Sequence, residues 1–100
     1  MPYIQKISSP AVIANPGVAS LVVFVDTTAL GWLDGSVVSL PENPSVSARI
    51  EVKDSEGNAH NRSIVIDGNG NDIEGQASIT LKVPYASCVC VFDGIQWGVL

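Results

Sequence analysis

The sequence predicts an all-β fold, an antiparallel β-sandwich or small barrel of jelly-roll-like type, as a single domain over residues 1–100. Three observations carry this. No long window holds the three-to-four-residue apolar period of an amphipathic helix. Gly and Pro interrupt the chain about every 8–12 residues, the rhythm of short strands joined by turns. Between those breaks the residues are β-branched, or alternate apolar with polar, as a half-buried strand requires.

Taken in order, Tyr3–Ile7 is the first short strand, and Ala11–Ala14 follows a Ser-Ser-Pro break. Asn15-Pro16-Gly17 is a turn, with Pro16 presetting φ and Gly17 free to take a positive value. Ser20–Asp26 is a continuous apolar run, expected to be buried on both faces. Asp34-Gly35, between Trp32-Leu33 and Ser36–Leu40, predicts a type I′ hairpin. Pro41-Glu42-Asn43-Pro44 cannot lie in a central strand and marks a seam near 41–45. Val46, Ala48, Ile50 and Val52 alternate with Ser47, Arg49, Glu51 and Lys53, so one face goes to the core and the charged one to water. Ser63–Asp67 and Ala77–Val83 flank the loop Gly68-Asn69-Gly70-Asn71-Asp72. Ser87–Phe92, the turn Asp93-Gly94 and Ile95–Leu100 close the chain, with Trp97 and Val99 on one face.

Composition narrows the function classes. The apolar fraction is 46% and the charged fraction 15%, against about 25% charged in an ordinary domain. Such a chain carries more apolar surface than one small core hides, which predicts association with copies of itself or with another protein. The net charge is −5, and Lys6, Arg49, Lys53, Arg62 and Lys82 form no run. That pattern excludes a nucleic-acid backbone binder and an anionic-membrane binder as expected partners. The first residues lack the basic-then-apolar pattern of a secretion signal, so synthesis is expected in a cytoplasm.

Candidate chemistry is sparse. A nucleophile needs a base held within hydrogen-bond reach, and the sole imidazole, His60, lies in Asn58-Ala59-His60-Asn61-Arg62, which reads as a solvated turn. Asp67, Asp72 and Glu74 could in principle pair for acid–base work. Asp67-Gly68-Asn69-Gly70-Asn71-Asp72 places oxygen ligands at alternate positions, as the start of an EF-hand loop does. Asp72 stands where that loop needs Gly, and Ser78 where it needs Glu, so a plain Gly/Asn turn is the preferred reading. Cys88 and Cys90, two apart in a strand, point to one face and read as small buried hydrophobes. Trp32 and Trp97, each beside an Asp-Gly turn, read as core or subunit-contact residues ahead of ligand platforms. No catalytic residue, cofactor or metal is expected, and the chain is expected not to be an enzyme.

From Ile50 onward the sequence resembles virion proteins of tailed bacteriophages. Ile50-Glu51-Val52-Lys53-Asp54-Ser55-Glu56-Gly57-Asn58-Ala59 is similar to a strand followed by Asp-x-x-Gly-Asn-Ala in phage fibre, tail-knob and capsid-decoration modules. Ile64-Val65-Ile66-Asp67-Gly68-Asn69-Gly70 with Ile73-Glu74-Gly75 resembles the next piece. Ile79-Thr80-Leu81, Tyr85, Ser87, Phe92-Asp93-Gly94 and Trp97-Gly98-Val99-Leu100 resemble its end. The resemblance covers about half the chain, and Cys88 and Cys90 depart from it.

The resemblance implies a symmetric oligomer, often a trimer, on a virion surface. The expected function is a capsid decoration (cement) protein that stabilises the assembled head by binding it. The major capsid protein and the chain itself, as a homotrimer, are then the partners. A docking arm over residues 1–14 is expected to touch the shell through Tyr3, Ile4, Lys6, Val12 and Ile13, and Trp97, Val99 and Leu100 to bury the oligomer contact. The alternative is a receptor-binding knob or tip of a tail fibre or spike, with the loops beside Trp32 or Trp97 meeting a host glycan.

Overall fold

Strands form where the alternation or the β-branched runs demand them, in a computed structural model that describes residues 3–17 and 19–100. They are β1 Tyr3–Ile7, β2 Ala11–Val12, β3 Ser20–Val25, β4 Ser36–Ser39, β5 Arg49–Asp54, β6 Ile64–Asp67, β7 Ser78–Leu81, β8 Ser87–Phe92 and β9 Trp97–Val99. No helix occurs among the described residues. A five-stranded sheet has the order β1-β3-β5-β8-β9 and a four-stranded sheet the order β2-β4-β6-β7. Both have open edges, so neither closes into a barrel.

The all-β expectation holds, but the expected antiparallel pairing does not. β1·β3, β3·β5, β2·β4 and β4·β6 are parallel, and only β5·β8, β6·β7 and β8·β9 are antiparallel. From Tyr3 to Asp67 each strand lies in the sheet opposite to its predecessor. The strand in the other sheet thus serves as the crossover that a parallel pair needs. The chain makes three such passes, each stacked on the last, before hairpins turn it back.

The Asp34-Gly35 hairpin is corrected for the same reason. Gly35 has φ 77°, and the Ser36 amide bonds the Leu33 carbonyl at 3.0 Å, so the turn exists. Trp32 and Leu33 are not a strand, and β4 instead lies between β2 and β6. The Asp93 turn does join a hairpin, where its carboxylate takes the Ile95 and Gln96 amides at 2.8 Å each.

The inward faces of both sheets share one core: Ile7, Leu21, Val23, Val25, Val38, Ile50, Val52, Ile64, Ile66, Cys88, Cys90, Phe92 and Trp97, with Ile13, Trp32, Leu40, Ala48 and Ile73 from the connections. Leu40 is fully buried and its amide bonds the Asp67 carbonyl at 2.9 Å. Residues 41–45 therefore form a loop over a common core and not a seam. β3 was expected to be buried on both faces, yet Val22 and Phe24 are half-exposed on its outer side. Val46 stays outside β5, 62% exposed, because Ser47 takes φ 72° and breaks the extended run.

One corner is held by a buried carboxylate. Asp54 Oδ1 accepts the Thr27 hydroxyl at 2.6 Å and the Glu56 and Gly57 amides at 3.3 and 3.0 Å. Its Oδ2 accepts the Ala59 and Tyr85 amides at 2.9 and 3.1 Å. Asn58 returns two bonds to Thr27, from its amide to the hydroxyl and from its side chain to the carbonyl. The Asp-x-x-Gly-Asn-Ala segment is thus a corner clamp between the second and third passes.

Candidate functional site

The residues expected to touch a partner fall into two groups. β1 and β2 are the edge strands of the two sheets at the same end of the stack. Tyr3, Ile4 and Val12 on them are 66%, 65% and 69% exposed, and Lys6 is exposed too. Ile13 is not available, since it is buried in the core and its amide bonds the Ser39 carbonyl at 2.8 Å. The expected arm is corrected as well. Residues 3–7 pair along their whole length with β3, and Ile7 packs into the core. Met1 and Pro2, the start of that arm, lie outside the described residues.

Of the expected oligomer contacts, Leu100 is 77% exposed, Val99 is half-buried against the core and Trp97 is fully buried. Trp97 packs against Phe92 with ring centroids 5.3 Å apart. It belongs to the core of its own chain and cannot meet a second one. Trp32 is equally buried, and neither indole N–H has a hydrogen-bond partner.

The outer face of the five-stranded sheet was not anticipated. The parallel register sets Ile4 beside Val22 and Lys6 beside Phe24. It continues with Val22 beside Glu51 and Phe24 beside Lys53. Across β5 and β8 the rows run from Arg49 to Val91 and from Glu51 to Val89. Three of the five basic residues therefore share one face with Ile4, Val22, Phe24, Val89 and Val91. Arg49, Glu51 and Lys53 on one strand face were legible in the alternation. Lys6 was not, because only the β1·β3 register brings it there. Lys53 is also tied locally: its Nζ donates to the Tyr85 carbonyl at 2.6 Å and lies 5.7 Å from the Tyr85 ring centroid.

At the end of this face lies a shallow groove of about 420 Å³, lined by Lys6, Ile7, Ser8, Phe24, Asp26, Ser55 and Glu56. Its Asp26 carboxylate takes the Thr28 hydroxyl at 2.6 Å and amide at 3.0 Å, which hold its pKa below the usual range. Asp34 is lowered in the same way by the Ser63 amide and hydroxyl. These carboxylates act as caps for the chain's own turns.

The other candidates resolve as local structure. His60 is exposed and its Nε2 lies 3.2 Å from Asn61 Nδ2. Asp67 Oδ2 accepts the Asn69 amide at 3.1 Å, and the Asn71 side chain donates to the Glu42 carbonyl at 2.9 Å. Glu74 Oε2 accepts the Val99 amide at 3.1 Å. Among the described residues no group of three His, Cys, Asp or Glu could hold a metal ion. Cys88 and Cys90 are both buried and unbridged, with Sγ atoms 3.6 Å apart. Their contact and burial push the Cys90 thiol far up.

No protein-family model matches the chain, and no curated protein matches it either.

Proposed function

We propose that the chain is a structural protein of a tailed-phage virion, a capsid decoration protein that binds the assembled head and stabilises it, and that its two sheets stack as a sandwich. The observation that carries this reading is the pair of adjacent open edges, β1 and β2, with Tyr3, Ile4 and Val12 exposed on them. An edge strand offers unpaired N–H and C=O groups to an added strand. Apolar side chains beside it give that contact its hydrophobic part. The similarity of the segments from Ile50 onward to phage virion modules supplies the setting. The mechanism is binding and not turnover: a subunit that binds only the expanded shell stabilises that state by mass action. The major capsid protein is the partner, the working form is a homotrimer, and the site of action is the virion surface.

Negative-stain microscopy of intact particles carrying a labelled chain tests the location. Label over the whole head is the expected result. Label confined to the tail tip overturns it in favour of a receptor-binding knob. Tyr3→Asp together with Val12→Asp is expected to reduce shell occupancy at least tenfold while the protein stays folded.

A further inference from the structure

We propose that Asn69 is a self-modification site, where the chain converts its own side-chain amide to a carboxylate through a succinimide ring closed by Gly70. The inference is independent of the reading above, because it concerns bonds within one chain.

Ring closure makes three demands. The side-chain carbonyl carbon must be free to turn, the next backbone amide must not be spent in a hydrogen bond, and no Cβ should screen that amide. Six Asn residues are present, and five of them fail. Asn15 and Asn43 precede Pro16 and Pro44, which have no amide N–H. The amides after Asn58 and Asn61 are taken: Ala59 donates to Asp54 Oδ2 and Arg62 to the Asn58 carbonyl, both at 2.9 Å. Asn71 is held by its side-chain bond to the Glu42 carbonyl, and Asp72 after it carries a Cβ.

Asn69 meets all three demands. Its backbone amide is tied to Asp67 Oδ2 at 3.1 Å, which fixes the loop. Its side chain and the Gly70 amide have no hydrogen-bond partner among the described residues. Gly70 is exposed with φ 94°, and no atom lies within 4 Å of where its Cβ would stand. Hydroxide and water therefore reach this amide from the open side.

Three Asp-Gly pairs could close the same ring, and each is guarded. The Gly35 and Gly68 amides donate to the Ser63 and Ala77 carbonyls at 3.1 and 3.0 Å. The Asp93 carboxylate takes two amides, which favour its ionised form, and an ionised carboxylate resists attack at its carbon.

The step balances without an oxidant or a cofactor. Hydroxide removes the Gly70 amide proton, and that nitrogen bonds to Asn69 Cγ. The Cγ–Nδ2 bond breaks, and Nδ2 takes a proton from water and leaves as ammonia. Water then opens the ring at either carbonyl, which gives aspartate or isoaspartate at position 69. One negative charge joins the chain's −5, in a loop that already holds Asp67 and Asp72. The isoaspartate form also adds a carbon to the main chain between β6 and β7. The change is one-way, so its extent records the age of the folded chain.

Holding the folded protein at 37 °C and pH 8, with intact mass and peptide mapping over days, tests this. A species heavier by the exchange of –NH2 for –OH is expected, placed at position 69, with isoaspartate exceeding aspartate. Its rate is expected to lie within tenfold of that of the same chain unfolded in guanidinium, and to be slower at pH 7. Gly70→Ala and Asn69→Gln are each expected to slow it at least tenfold. Should Gly70→Ala fail to fold because of its positive φ, Asn69→Gln alone serves as the control. Native conversion more than tenfold slower than in the unfolded chain, earlier conversion at another Asn, a product holding aspartate alone, or conversion that survives Asn69→Gln overturns the inference.

Discussion

Thr27 donates its hydroxyl to Asp54 Oδ1 at 2.6 Å, and both residues are fully buried where two stacked passes leave the five-stranded sheet. Asp54 accepts four backbone amides besides. A carboxylate satisfied on both oxygens can stand burial, and here it joins three connections at one point. Asp54→Asn replaces an acceptor oxygen by a donor that faces amide hydrogens. It is expected to cost about 3 kcal/mol, and Thr27→Val about 1–2 kcal/mol, both read from urea unfolding midpoints. A loss below half a kilocalorie for Asp54→Asn would show that the clamp is not needed.

Acid should unfold the protein, and the sign follows from the same bonds. Burial alone would raise the Asp54 carboxyl, but the donors Thr27, Ala59, Tyr85 and Glu56 outweigh it, so its folded pKa is lowered. The backbone amides of Gln96 and Ile95 lower Asp93 likewise, and Asp26 and Asp34 shift the same way. A lowered folded pKa adds stability that is complete above the unfolded value, about 4. That stability is lost as pH falls through the folded value. Unfolding free energy measured from pH 7 to pH 2 should therefore hold down to about pH 4 and then decline. Asp54→Asn should make the decline shallower, and an equal slope in both proteins would count against Asp54 as its main source.

Two glycines should tolerate no side chain, for different reasons. A Cβ on Gly68 would strike the carbonyl of Asn71, and that backbone cannot move without opening the β6–β7 hairpin. Gly57 has φ 77°, and its Cβ would stand 2.5 Å from the Tyr85 ring. Gly68→Ala is expected to cost about 2–4 kcal/mol, the range of severe steric and backbone effects. Gly57→Ala should cost less in a Tyr85→Ala background, because the ring clash is then gone while the φ strain stays. A double-mutant cycle by thermal unfolding measures the difference.

Removing residues 1–9 should destabilise the fold as well as remove a contact. β1 pairs with β3 over five residues, and Ile7 lies in the core. Exposing the β3 edge and deleting a buried isoleucine is expected to cost about 3 kcal/mol or more, visible as a lower melting temperature. An unchanged melting temperature would mean that β1 is a detachable arm after all.

Both thiols should be silent until the chain unfolds. Cys88 and Cys90 are 5% and 0% exposed, and reactivity needs an accessible thiolate. A chromogenic disulfide reagent should count none in native buffer and two in denaturant. Rapid reaction of either in the native protein would contradict the burial.

The sequence alone determined the strand content, most strand positions and much of the core. Period-two alternation reports which side chains turn inward whatever lies next door. Ile64 with Ile66, Cys88 with Cys90 and Trp97 with Val99 share faces for that reason. Tertiary structure alone decided which strands are neighbours. Alternation is the same for a parallel and an antiparallel partner, so nothing in Ser20–Val25 says that β1 and β5 flank it in parallel. That choice turned a supposed hairpin at Asp34-Gly35 into a corner and folded the N-terminal arm into a sheet edge. It also brought Lys6 into line with Phe24 and Lys53, because register, a relation between distant segments, is set by packing and by no residue on its own.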